Sequence, residues 1–418
     1  MEREDYMSRQ NMFFRAVFAI NIILFSVAGI SAQNSPLSIR SLIRGPEPVS
    51  GTSVHDQAPA STPTWTALGV LPGPEPSERA AGSAVLDSAN NQMILFAGAS
   101  GGDDILVATL NDVWVLSNAN GIGNSSWALA IANGAQGSPP ARGAHTAVYD
   151  AADNRMIIFG GCLTGDCPAP GLNDVWVLTN ANGTGNPSWI QLAPTGGPPT
   201  ARAYHAAVYD PGTNSMIVFA GFDIVSKQGL SDVWVLSNAN GLGGAPNWTQ
   251  LAPAGGPPQG QQGPTAVYDA ANNIMTVFAG VSASNMQTNA VWTLSHANGQ
   301  GGTPAWTNLV KDGAPGSPSK RAISSAVYDS AGNRMTIFGG VGSKFPFEVN
   351  DTWVLSNANG VGGNPQWTRL KPSGHLPGQR TFHSAVYDPA SNRMIVFGGG
   401  NTDAVFYGTW VLTDANGQ

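Results

Sequence analysis

The sequence predicts an all-β protein, a six-bladed propeller of four-stranded antiparallel blades whose last blade is completed by the amino-terminal strand. Three observations carry that reading. A unit of about 60 residues recurs, its strand-one aspartates standing 63, 60, 59, 60 and 59 residues apart from Asp87 to Asp388. All twelve tryptophans fall at two positions of that unit, six at each. Composition agrees, with 52 glycines, 30 prolines and only 11% charged residues, poor material for long amphipathic helices and rich in turn formers.

Each unit contains four short apolar pieces bounded by turn residues, the signature of strands. The first ends in the AVYD-like aspartates Asp87, Asp150, Asp210, Asp269, Asp329 and Asp388. The second is MIVFGG-like, starting at Met93, Met156, Met216, Met275, Met335 and Met394. The third carries Trp114, Trp176, Trp234, Trp292, Trp353 and Trp410, and the fourth carries Trp65, Trp127, Trp189, Trp248, Trp306 and Trp367. Strands one and two are joined by D-x-x-x-N, whose side chains satisfy turn amides and tolerate left-handed backbone. Strands three and four are joined by N-A-N-G, again suited to positive φ. Four strands repeated radially must close into a ring to remove exposed edges. Thr64 to Leu68 is a fourth strand with no blade before it, and the last unit stops at Asp414 to Gln418 without one. Closure of the last blade by the amino-terminal strand balances the count; a chain truncated before further blades is the alternative.

Ahead of the repeat, Ala16 to Ile30 is an apolar run of 15 residues, preceded by Arg15 and followed by Ser31-Ala32. It reads as a secretory signal peptide over 1–32, although Glu2, Glu4 and Asp5 are atypical of its head and Met7 or Met12 is an alternative start. It is short for a permanent membrane span. Residues 33–62 are rich in Pro, Ser and Gly without apolar periodicity, a tether to a propeller over 63–418. The expected location is therefore secreted, periplasmic or cell-surface, and the expected state a monomer. With 19 basic against 26 acidic residues, nucleic-acid binding is not expected.

The aromatic in strand one, the glycine doublet ending strand two and the spaced tryptophans resemble the Kelch repeat over about Pro63 to Gln418. The doublet is intact at Gly160-Gly161, Gly339-Gly340 and Gly398-Gly399, and becomes Ala-Gly at Ala97, Ala220 and Ala279. The resemblance implies a propeller and leaves function open, since Kelch propellers serve as protein-binding domains, sugar-active enzymes and copper oxidases. Copper oxidases of this kind need tyrosine and histidine ligands and a cysteine cross-linked to tyrosine. Here Tyr149, Tyr209, Tyr268, Tyr328 and Tyr387 occupy one repeat position and read as core. Cys162 and Cys167, six residues end to end, read as a local disulfide in an exported chain. No residue matches the catalytic set of Kelch-type sialate mutarotases. No catalytic residue, metal ligand or cofactor is assigned.

In such folds the loops from strand four to strand one and from strand two to strand three share one face at the channel mouth, where ligands commonly bind. The first loop set carries Arg79, Arg142, Arg202, Arg321 and Arg380, each eight residues before the strand-one aspartate, with Gln261 in the fourth unit. His145, His205 and His383 follow three of them. As a ring of donors the arginines suit a carboxylate, sulfate or acidic peptide; regular recurrence equally suits scaffolding through strand carbonyls between blades. The second set is irregular: Asp103 and Asp104; Asp166; Phe222, Asp223 and Lys227; Lys344, Phe345, Phe347 and Glu348; Asp403, Phe406 and Tyr407. Rings and carboxylates at a concave mouth suit a sugar or peptide, and Tyr204 joins them. Asp112, Asp174, Asp232 and Asp351, two residues before the third-strand tryptophans, read as turn-amide acceptors. The function expected is an exported binding module for a protein or carbohydrate ligand. The alternative is a sugar-modifying enzyme, mutarotase-like or copper oxidase-like, using carboxylates at the same mouth.

Overall fold

The computed structural model describes residues 62–418 apart from 102–107, 165–166, 168–170, 259–261, 283 and 345–346. The expected leader, nearly all of the tether, and Phe345, Asp103, Asp104, Asp166 and Gln261 lie outside the described residues.

Six four-stranded antiparallel blades make up the fold, the sheet of blade six being extended by the two-residue parallel strand Ser373–Gly374, and no helix occurs among the described residues. Blade two is representative, with strands Thr146–Asp150, Arg155–Cys162, Gly171–Thr179 and Ser188–Leu192 in that spatial order. The innermost strands, Ser83–Asp87, Thr146–Asp150, Ala206–Asp210, Thr265–Asp269, Ser325–Asp329 and Ser384–Asp388, neighbour one another in ring order, and the last neighbours the first. Blade six takes its fourth strand from the amino end. Thr64–Ala67 runs antiparallel to Thr409–Thr413, pairing Trp65 with Leu412 and Ala67 with Trp410. Trp65 is 1% exposed and its ring stands 4.9 Å from Phe338 of blade five.

That aromatic contact repeats around the whole ring. The strand-two phenylalanine of one blade meets the strand-four tryptophan of the next: Phe397 with Trp127, Phe96 with Trp189, Phe159 with Trp248, Phe219 with Trp306, and Phe278 with Trp367, at 4.8 to 5.3 Å. A single blade cannot bury its faces alone, so these inter-blade seams form the hydrophobic core.

On the N-A-N-G face a second ring of contacts closes each seam. Asn182 Nδ2 donates to Asp87 Oδ2 of the preceding blade at 2.7 Å, Asn240 to Asp150 at 2.6 Å, and Asn298 to Asp210 at 2.7 Å. Asn359 to Asp269, Asn416 to Asp329, and Asn120 to Asp388 complete it. The other carboxylate oxygen accepts a turn amide, as Asp150 Oδ1 does from Ala152. The strand-one aspartates therefore do the turn work read from the sequence and also bind one blade to the next.

Candidate functional site

The channel mouth is built from the loops entering strand one. Two residues after each arginine position, the backbone turns into the left-handed region at Ala81, Ala144, Tyr204, Gly263, Ile323 and Phe382, with φ between 55° and 64°. Their peptide groups link around the axis: Ala81 N donates to Phe382 O, Ala144 N to Ala81 O, Tyr204 N to Ala144 O, Gly263 N to Tyr204 O, and Ile323 N to Gly263 O, at 2.8 to 3.0 Å. Between blades five and six, Thr381 Oγ1 donates to Ile323 O at 3.1 Å. Positive φ is unfavourable for a β-branched residue, so Ile323 is held there by its neighbours. The result is an iris whose backbone is regular and whose side chains are not. Ala, Ala and Gly leave blades one, two and four open, while Tyr204, Ile323 and Phe382 fill the other three. These residues bound an opening of about 130 Å³, with His145, His205 and His383 beneath them.

The histidines staple blades. His145 Nε2 lies 2.7 Å from Ser83 Oγ, His205 Nε2 2.7 Å from Thr146 Oγ1, and His383 Nε2 2.8 Å from Ser325 Oγ, each partner belonging to the preceding blade. Burial first, and the adjacent arginine second, pull His145 and His383 down to about 3. Burial, then Arg202 and His145, lower His205 as well. All three are neutral imidazoles at neutral pH. Among the described residues no three His, Cys, Asp or Glu side chains gather as a metal ion would need.

The arginines sit below the iris. Arg142, Arg202 and Arg321 are 0% exposed, and Arg79 and Arg380 2%. Arg142 Nη1 and Nη2 fork onto Asp174 at 2.7 and 2.8 Å, while Nη1 also donates to Gly160 O. Arg79 with Asp112, Arg202 with Asp232, and Arg321 with Asp351 repeat the arrangement at 2.6 to 3.1 Å. Each aspartate also accepts the indole N–H two residues on, as Asp174 does from Trp176 at 2.7 Å. Burial raises the Asp174, Asp232 and Asp351 carboxyls, but the arginine forks outweigh it and hold them below the usual range. These carboxylates thus answer a guanidinium and an indole rather than turn amides. The arginine bonds to strand carbonyls also stay inside one blade rather than crossing between blades.

The irregular loops divide into buried and displayed residues. Phe222 is 5% exposed and packs with Cys162, Cys167, Ala203 and Ile224; Cys162 and Cys167 are joined as a disulfide. Asp223 closes its hairpin by accepting Val225 N at 2.8 Å and Ser226 Oγ at 2.7 Å; burial raises its carboxyl, and these bonds bring it below the usual value. Glu348 is buried, and burial first, with Asp403 nearby, raises its carboxyl. Asp403 is exposed. Phe347 and Tyr407 are 40% and 64% exposed. Phe406 lies 4.7 Å from the Arg380 guanidinium. Of these residues Tyr204 lines the opening, while Phe347, Glu348, Asp403 and Tyr407 belong to the connections between strands two and three of blades five and six.

A second, larger opening of about 780 Å³ lies on the N-A-N-G face, lined in part by Tyr209, Tyr268 and Tyr328. Each of these hydroxyls donates to the asparagine five residues on, at 3.0 to 3.1 Å. These tyrosines, which the sequence reads as core, are half-buried on the innermost strands.

Two comparisons bear on this architecture. A family model described as the KLHDC2/KLHL20/DRC7 Kelch-repeats domain matches residues 58–241. A solved structure described as "Structure of YjhT" superposes with a TM-score of 0.55 at 16% identity, covering 81% of this chain and 94% of the other. At that identity the second likeness is one of fold.

Proposed function

This chain is a Kelch-repeat β-propeller, and from that premise we propose that it is a binding module that takes a protein or carbohydrate ligand at the iris face. The observation that carries the reading is the contrast at positions 81, 144, 204, 263, 323 and 382. All six share one backbone conformation, and five of them donate the same peptide hydrogen bond to the blade before, so scaffold requirements there are close to uniform. Side chains that differ from blade to blade on a uniform scaffold give the face a shape of its own, with Tyr204 and Phe382 as apolar platforms and Asp403 and Tyr407 as polar rim groups. Rigid aromatic rings supply contact area at little entropic cost. The disulfide accords with an exported protein, the setting in which such bonds persist. Among the described residues no helix is long and apolar enough to cross a membrane.

Screening the propeller on glycan and peptide arrays, followed by Tyr204→Ala and Tyr407→Ala, tests the proposal. Loss of the captured ligand in these variants, with retention in a Tyr268→Phe variant of the opposite face, is the expected result. Capture that depends on the opposite face alone would overturn it.

One observation favours a second reading, a sugar-modifying enzyme at the same mouth. The buried Glu348 has its carboxyl raised, by burial first and by the nearby Asp403, so two carboxyls in unlike surroundings stand close together there. That reading requires turnover on an oligosaccharide panel that disappears in Glu348→Gln and Asp403→Asn. Retained binding without product leaves the first reading standing.

A further inference from the structure

Among the described residues, Arg380 alone of the buried arginines has no carboxylate partner. In blades one, two, three and five the guanidinium fork and the third-strand indole converge on one aspartate. Blade four has neither partner, with Gln261 and Ala290 at the two positions. Blade six keeps Arg380 and Trp410 and has Gly408 where the aspartate would stand. The rest of the cradle is unchanged. Arg380 Nε donates to Gly378 O at 3.1 Å and Nη1 to Gly398 O at 2.9 Å, the same two bonds Arg142 makes. Trp410 pairs with Val396 in the register that pairs Trp176 with Ile158.

The consequence is a cation 2% exposed, whose Nη2 has no hydrogen-bond partner among the described residues. Phe406, at 4.7 Å, and Trp410, at 6.0 Å, offer their rings to it, which softens the charge without consuming an N–H donor. Burial lowers Arg380 to about 10, so the guanidinium still carries its charge at neutral pH. A Cβ placed at Gly408 would meet only the Trp410 indole, with Nε1 at a close 3.3 Å and no backbone in the way.

We propose that blade six is a carboxylate socket, in which Arg380 and the Trp410 indole N–H bind a carboxylate supplied in trans, in the geometry that Asp112, Asp174, Asp232 and Asp351 hold in cis. The four paired blades define the bound state: two guanidinium contacts of 2.6 to 3.1 Å and one indole contact of 2.7 to 2.8 Å. Planar bidentate recognition with a third donor selects a carboxylate over a spherical anion. The inference rests on the reading that this face carries the ligand, and it names the ligand's chemistry at one blade. The carboxylate comes either from a small free acid or from an acidic side chain of a bound protein.

The full chain, with ¹⁵N-labelled indoles, tests it by titration with sodium acetate against sodium chloride at equal ionic strength. The Trp410 indole resonance, identified by its loss in Trp410→Phe, shifts and saturates with acetate and not with chloride. Gly408→Asp places the carboxylate in cis: its indole resonance starts at the displaced position and its acetate response weakens at least tenfold. Arg380→Gln, its fold checked by the other indole resonances, loses the response. An unmoved Trp410 resonance, or an equal response in Gly408→Asp, overturns the proposal. A peptide with one internal glutamate that binds at least tenfold more tightly than acetate, and loses that margin when Glu becomes Gln, assigns the source as a protein side chain. A peptide no tighter than acetate assigns a free acid. The arrays read capture by the iris face and the Trp410 resonance reads the socket, so failure of the iris reading and failure of the socket register separately.

Discussion

Tyr204 and Phe382 belong to opposite blades, yet their rings stand 6.0 Å apart, tilted by 53°, across the propeller axis. They meet because both arise from left-handed residues of the iris, which aims side chains toward the axis from a rim that otherwise carries alanine and glycine at three of its six positions. Replacing both by alanine keeps the φ requirement unchanged and removes the bridge. Stability should therefore fall by only about 1 kcal/mol, as for a partly exposed aromatic pair, while the opening widens beyond about 130 Å³. A crystal structure of the double variant and its melting curve check both halves; a collapse in stability would mean that the pair holds the ring together.

The fork between Arg142 and Asp174 should behave in the opposite way. Removing one member of a buried pair strands the other, at a cost of about 3–5 kcal/mol. Asp174→Ala leaves a fully buried guanidinium and an unanswered Trp176 indole, and should lower the urea midpoint sharply. Arg142→Met with Asp174→Leu removes both charges and should recover most of the loss. Blade four, which does without either member, already shows that a blade can fold this way. Equal damage from the single and double variants would argue that packing, not charge, governs the site.

The ring was legible because its determinants are local. Trp, Met-start strands and the aspartate recur at fixed offsets, and a strand needs little more than its own residues and its turns to be recognised. The closing strand was legible from the unpaired Trp65 piece. Pairings across 30 or more residues were not, since register decides them: Arg142 and Asp174 are 32 apart, and Asn120 and Asp388 are 268 apart. One signal for the first was present, the simultaneous replacement of both members in unit four. The irregular loop residues offered no such signal. Whether Phe222 caps a disulfide or faces a ligand depends on which side of the hairpin it occupies, and composition does not encode that.

Acid should loosen the propeller in two stages. His145 and His383 fall to about 3 in the folded chain, against an ordinary value near 6.5, so their neutral forms stabilise the fold fully above pH 6.5. That contribution drains away as pH falls from 6.5 toward 3, at up to about 1.4 kcal/mol per pH unit for each imidazole. Asp174, Asp232 and Asp351 are depressed below 3.8, so their contribution is present above that value and is lost only as pH drops through the lower folded values. Melting curves at pH 7, 5 and 4 should show the first stage alone. The variant His145→Gln/His383→Gln should be flatter over that range, and a wild-type curve with no slope between pH 7 and 5 would refute the neutral buried imidazoles.

Closure makes a short strand one of the most consequential. Thr64–Ala67 has four residues, yet it supplies the fourth strand of blade six and inserts Trp65 against Phe338. Trp65 is as buried as Trp248, a tryptophan in mid-ring whose blade is continuous in sequence. Equal burial predicts an equal cost on truncation, about 3–5 kcal/mol for either Trp→Ala change. Deleting residues 62–68 should do more, because it bares the Thr409–Thr413 edge, and an unpaired strand edge recruits other chains. Light scattering should then report oligomers that the point variant does not form. A deletion that keeps the oligomeric state and the urea midpoint of the parent chain would show that the ring does not depend on its amino-terminal clasp.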